Sequence, residues 1–159
     1  VEQPASCFDH RRAGVLLHLT SLPGLGVCGG LGRETQKFVD FLVAAGIGVW
    51  QMLPVGPTGP DGSPYQASSV HAGNPRLISL EWVVEQRWLQ DYPLDETHLS
   101  EVGKQRGLSL SWDGFREHAT PAEHDALAEF LADNAYWLED YALFQALHLE
   151  FPRGWWEWP

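Results

Sequence analysis

The sequence predicts an α/β protein in which one βαβ unit is followed by a mostly helical segment. Two short apolar runs, Val15-Leu16-Leu17 and Val49 to Leu53, flank a stretch of helical periodicity. A long segment rich in Gly, Pro and Ser, Pro54 to Pro75, follows the second run. Beyond Ser79 the strand signals cease and apolar residues recur at helical spacing.

Residues 1–13 form a polar lead-in. Val15 to Leu17, bounded by Gly14 and by Thr20 to Pro23, reads as a buried strand, and Gly24 to Gly32 as loop. Glu34 to Ala45 places Phe38, Phe41, Leu42 and Ala45 on one helical face, with Gly46 as a natural stop. Val49 to Leu53 is too short for a helix and is closed by Pro54. Strand, helix and strand within about forty residues imply parallel pairing and a right-handed crossover, so residues 14–78 form one unit. Ligands of parallel α/β folds sit at the carboxyl ends of the strands. The loop 54–75 lies there and is too elaborate for a connector.

In the remaining region, 79–159, Leu80 to Leu89 reads as helix, and Gln90 to Leu110 shows no clear period. Pro121 to Ala132 reads as a helix with Thr120 as its cap and Pro121 in its first turn. Asn134 to Leu149 reads as another, with Trp137, Leu138, Tyr141, Phe144 and Leu147 as its stripe.

The composition is globular: 159 residues, 44% hydrophobic and 19% charged. A net charge of −11 argues against nucleic acid, whose phosphates need a basic surface. It suits a neutral ligand such as a sugar as well as it suits simple solubility. Eight Trp residues supply flat rings that fill cores or cover sugar faces. Cys7 and Cys28 have no metal or redox spacing, and a reduced cytoplasmic protein is expected. The first residues lack the apolar run of a signal peptide, and no stretch approaches membrane-spanning length, so no membrane partner is expected. Met52 is the only Met, and Trp155, Trp156 and Trp158 crowd the end. The chain therefore reads as a piece of a longer protein.

Gly24-x-Gly26-x-x-Gly29 matches a dinucleotide-binding pattern, but its context is wrong. HLTSLP separates it from the strand, helical periodicity starts only after Gly32, and the second strand ends without an acidic residue for a ribose. No cofactor is expected. The seven His residues show no metal-ligand spacing and read as core or exposed side chains. Ser63 lies in no GxSxG elbow, and Glu139 and Asp140 read as a solvated helix face.

Four ordered motifs carry a resemblance: GVLLHLTSLP (14–23), GIGVWQMLPVGPTG (46–59), SPYQ (63–66) and AGNPRLIS (72–79). With WLEDYALFQAL (137–147) and the closing WWEWP, they resemble the N-terminal part of the amylomaltases. These are 4-α-glucanotransferases (disproportionating enzymes) of glycoside hydrolase family 77. The resemblance spans most of the chain and is unmarked only from about Gln90 to Glu129.

The resemblance implies an incomplete (β/α)8 TIM barrel, its first βαβ unit followed by a helical insertion. A closed barrel takes about 250 residues, more than this chain has. It also implies transfer of an α-1,4-glucan segment to the 4-hydroxyl of an acceptor glucan, with retention, by two carboxyl groups about 5–5.5 Å apart. In the family these groups lie beyond the position of Pro159, so no catalytic residue is assigned and the chain alone is expected to be inactive. Three positions carry over as substrate-binding candidates. Tyr65 matches a Tyr that lies against the sugar beside the cleaved bond, and Ser63 matches a polar neighbour. Asn74 is the third, although Asn before Pro75 is also ordinary turn chemistry. Tyr65 has a competing role as a pin for its loop.

Leu19 stands where the family usually has Pro, and Gly30 where it has Asp. Pro60 and Gly62 replace a Tyr-Gly-Asp type of sequence. Expected partners are an α-1,4-glucan or maltooligosaccharide and the missing C-terminal barrel half. Two alternatives remain: a non-catalytic α-glucan-binding module, and one half of a split glucanotransferase. A two-strand remnant is also expected to expose apolar surface, and so to self-associate or be molten.

Overall fold

In the computed structural model, described here for residues 11–23, 29–59, 61–92, 100–151 and 153–159, two short parallel strands meet a set of helices. Strand β1 (Gly14–Leu16) pairs in parallel with β2 (Val49–Gln51), Val15 opposite Trp50. Helix α1 (Arg33–Ala44) makes the crossover. It ends as expected at Gly46, whose φ of 71° lies in the left-handed region open to glycine.

The expectation of a buried first strand is corrected, whereas the apolar exposure expected of a two-strand remnant is present. Leu16 is 64% exposed and Val49 38%, because the described residues include no further strand beside this pair. Phe41 is likewise 61% exposed, while Leu42 of the same face is buried. Trp50 is half-buried: its ring packs edge-on to Phe38, and its Nε1–H donates to the Leu17 carbonyl at 2.7 Å.

The core sits between the loops and the first helices, formed by Leu19, Leu22, Leu42, Leu77, Leu80, Val83 and Leu89. Two departures from the family pattern fit it. Leu19 is 1% exposed, and a Cβ at Gly30 would lie 2.7 Å from the Leu77 carbonyl oxygen. That close approach lets the Leu31 N–H donate to the same carbonyl at 2.7 Å.

Helix α2 (Leu80–Glu85) is shorter than the expected Leu80 to Leu89. Arg87 takes a φ of 65°, and the N–H groups of Arg87 and Trp88 return to the carbonyls of Val84 and Val83. Those bonds close the helix and leave Leu89 free to turn inward. The aperiodic stretch Gln90 to Leu110 also needs correction. Residues 93–99 lie outside the description, but helix α3 (Glu101–His118) starts within it. Ser100 caps α3 by accepting the Gly103 N–H at 3.0 Å. Gly103, Gly107 and Gly114 weaken the local helical signal. Two of them serve contact: a Cβ at Gly107 would lie 2.8 Å from Leu80, and one at Gly114 would collide with the Trp88 carbonyl.

The two helices expected after Thr120 are one, α4 (Pro121–Glu150). Its start is as expected: Thr120 and Glu123 form a reciprocal capping box with Pro121 in the first turn. Asn134 does not break it. Its Nδ2 donates to the Phe130 carbonyl at 2.8 Å and its Oδ1 accepts the Trp137 indole N–H at 2.9 Å. Trp158 tucks back onto Phe144 while Trp155 and Trp156 stay 66% and 72% exposed. None of the described helices is long and apolar enough to cross a membrane.

Candidate functional site

The carboxyl ends of β1 and β2 open into a cleft of about 300 Å³ whose walls include His18, Thr20, Pro54, Thr58, Asp61, Asn74 and Arg76. His18 follows β1 by two residues. Its Nδ1 lies 2.7 Å from Thr20 Oγ1 and its Nε2 3.3 Å from the Pro54 carbonyl oxygen. A carbonyl only accepts, so Nε2 carries the proton, and the ring clasps the exit of β1 to the exit of β2.

Asn74 builds another wall. Its N–H donates to the Val55 carbonyl at 2.8 Å, and its Oδ1 accepts the Arg76 N–H at 3.0 Å. The side-chain acceptor therefore serves the turn at Pro75–Leu77, and Nδ2, 3.5 Å from Thr58 Oγ1, is the group left to face a ligand. The Arg76 guanidinium pairs with Glu101 of α3 at 2.9 Å, joining the cleft to the helical region.

Ser63 and Tyr65 lie beside the cleft, outside its lining. The Ser63 N–H donates to Asp61 Oδ1 at 3.2 Å, and its carbonyl accepts the Gln66 N–H at 3.2 Å. Tyr65 at this turn is 76% exposed. Other residues pin the loop. Thr58 bridges Ala67, Ser68 N–H donates to Pro57, and His71 packs its ring 5.5 Å from both Tyr136 and Trp137 of α4. Burial pushes the Tyr141 phenol up from its ordinary pKa, partly opposed by hydrogen bonds with Ser68 and Gln145. Tyr65 makes none of these contacts, and its ring is exposed.

Gly24 and Gly26 lie outside the described residues, as do Cys7 and Cys28. Gly29 packs against the carbonyls of Leu19 and Leu22, and α1 begins only at Arg33. Among the described residues, no group of three or more His, Cys, Asp or Glu is arranged to hold a metal ion.

The sequence profile of the 4-alpha-glucanotransferases, glycoside hydrolase family 77, matches residues 17–159. The chain belongs to this family. It is 44% identical to the 4-alpha-glucanotransferase of Thermus thermophilus over 94% of its own length and 31% of that protein's. To that of Aquifex aeolicus it is 39% identical over 93% of its length and 31% of the relative's. The fold is similar to an amylomaltase from Streptococcus agalactiae in complex with acarbose, with a TM-score of 0.78 and 31% identity over 93% of this chain and 32% of that one. The chain thus corresponds to an N-terminal portion of the 4-alpha-glucanotransferases and spans about 31% of the length of these relatives.

Sequence reasoning did not select His18, Thr20, Thr58 or Arg76. For His18 a signal existed: a histidine immediately beyond a parallel strand lies at the end where ligands bind. Arg76 gave none, since its place depends on Asn74 and on Glu101.

Proposed function

We propose that this chain supplies part of the glucan-binding face of a 4-α-glucanotransferase. In this reading β1, α1 and β2 are the first βαβ unit of a (β/α)8 TIM barrel, and the region from 79 is a helical insertion. The whole enzyme cleaves an α-1,4-glucan, holds one part as a glycosyl-enzyme, and passes it to the 4-hydroxyl of a second glucan with retention. Transfer outruns hydrolysis when the acceptor is bound in place and water is kept out. The nucleophile and acid/base lie outside these residues, so this chain alone binds sugar and does not cleave it. A cytoplasmic location belongs to the same reading.

One observation supports it above the others: in a chain of this family, a cleft lined by His18, Thr58, Asp61, Asn74 and Arg76 opens at the carboxyl ends of the parallel strands, and the loop that forms part of it carries the exposed Tyr65. Tyr65 covers a sugar face with its ring, while Ser63 and the Asn74 amide meet hydroxyls. Calorimetric titration with a maltooligosaccharide tests this. Tyr65→Ala should weaken binding about ten-fold, a loss of ~1.4 kcal/mol, and Tyr65→Phe should weaken it less. Absence of binding by the unaltered chain would sink the binding role.

The open strands and the exposed Trp155 and Trp156 also support a split-enzyme reading. A separate C-terminal barrel half would then restore maltose disproportionation on mixing, and continued inactivity would count against it.

A further inference from the structure

His71 stands between two of the proposed sugar contacts, six residues after Tyr65 and three before Asn74. Its ring leaves the loop and meets helix α4, stacked on Trp137 at 5.5 Å with an interplanar angle of 23°. It also lies edge-on to Tyr136, again at 5.5 Å. Trp137 is itself held, because its indole N–H donates to Asn134 Oδ1 at 2.9 Å. One turn further along α4, the Tyr141 hydroxyl reaches Ser68 of the same loop. The helix backs the loop in this way, although none of its residues lines the cleft.

Hydrogen bonds run from this clamp toward both contacts. The N–H groups of His71 and Ala72 donate to Ser69 Oγ at 3.1 and 3.0 Å. Ser68 N–H donates to the Pro57 carbonyl at 2.9 Å, Ala67 bridges Thr58, and Gln66 N–H donates to the Ser63 carbonyl at 3.2 Å. On the other side, Asn74 N–H donates to the Val55 carbonyl at 2.8 Å. A contiguous run of bonds carries the placement of one end to the other. The Tyr65 ring is 76% exposed, so its position depends on this backbone run more than on packing.

We propose that His71 is a positioning residue for glucan binding: docked on Trp137 and Tyr136, it sets Tyr65 and Asn74 in place before the sugar arrives. The inference rests on the loop's being a sugar-binding face. Ordering that must be supplied at the moment of binding weakens affinity, and ordering already present in the free protein spares that loss. Helix α4 thus acts on the site through one imidazole, without touching the glucan.

Calorimetric titration of the full chain with a maltooligosaccharide tests this. His71→Ala should raise Kd about five-fold. His71→Phe keeps a flat ring for Trp137 and should bring Kd back to within about two-fold of the unaltered chain. From the helix side, Tyr136→Ala, at a side chain 73% exposed, should raise Kd about two-fold. In a Tyr65→Ala background His71→Ala should lose much of its effect, since it acts through that ring. The urea midpoint should hold in each single variant at these exposed positions. Binding that is present but indifferent to His71→Ala overturns the positioning role and leaves the binding role intact. A loss that His71→Phe fails to restore does the same, as does full additivity with Tyr65→Ala. If His71→Ala fails to fold, Tyr136→Ala carries the test, and an unchanged Kd there overturns the proposal. Absence of binding by the unaltered chain removes the binding role and this inference together.

Discussion

The βαβ unit and the long helix α4 solve opposite problems. In the first, 3-residue strands carry little local preference, and the fold is held by distant partners: Val15 with Trp50, Leu31 with Leu77, His18 with Pro54. In the second, a 30-residue helix is written locally by its cap, its proline and its spacing, yet no residue of it is buried. Local signals therefore do not report where stability resides. The core lies in the βαβ unit and just beyond it, at Leu19, Leu22, Leu42, Leu77, Leu80, Val83 and Leu89.

Substitutions break or sharpen that contrast. Leu80→Ala, at a side chain 2% exposed, should cost ~2–5 kcal/mol in urea unfolding. Leu143→Ala, on α4 and 59% exposed, should stay within ~0.5 kcal/mol, and equal losses would place the core elsewhere. Gly114→Ala should come next. Its methyl would strike the Trp88 carbonyl, costing about 1–3 kcal/mol, and the accompanying loss of amide protection should concentrate in α3 and spare α1.

Trp50→Phe removes the indole bond to Leu17 and should cost about 1 kcal/mol, loosening β1 from β2 in hydrogen exchange while α4 stays unaffected. Thr120→Ala should do the reverse, fraying only the start of α4 at a cost of ~1 kcal/mol. The smallest effect is on pH. The Thr120 backbone N–H, and after it the hydroxyl, hold Glu123 below its ordinary value of 4.5. That contribution is complete above the unfolded value and fades as pH falls through the lower folded one. Amide shifts at the first turn of α4 should follow this titration, and Glu123→Gln should flatten it.

The sequence by itself determined the order strand, helix, strand, the stop at Gly46, and the start of α4 at Thr120 and Pro121. It also carried the family, through motifs spread along most of the chain. Each of these is encoded by neighbours along the chain: a spacing, a cap, a residue allowed a positive φ. Tertiary structure decided the rest. Burial of Gly107 against Leu80 is invisible to helix propensity, so α3 was not legible in the sequence. Asn134 continued a helix that composition divided, because its amide found Phe130 and Trp137. The cleft followed the same rule. Asn74 was legible within a motif, as were Ser63 and Tyr65 outside the lining, whereas His18 and Arg76 line the cleft only when β1 and β2 pair and Glu101 approaches. A strand of three residues cannot state on which side it will be covered, and the exposure of Leu16 and Val49 is fixed only by what packs beside them.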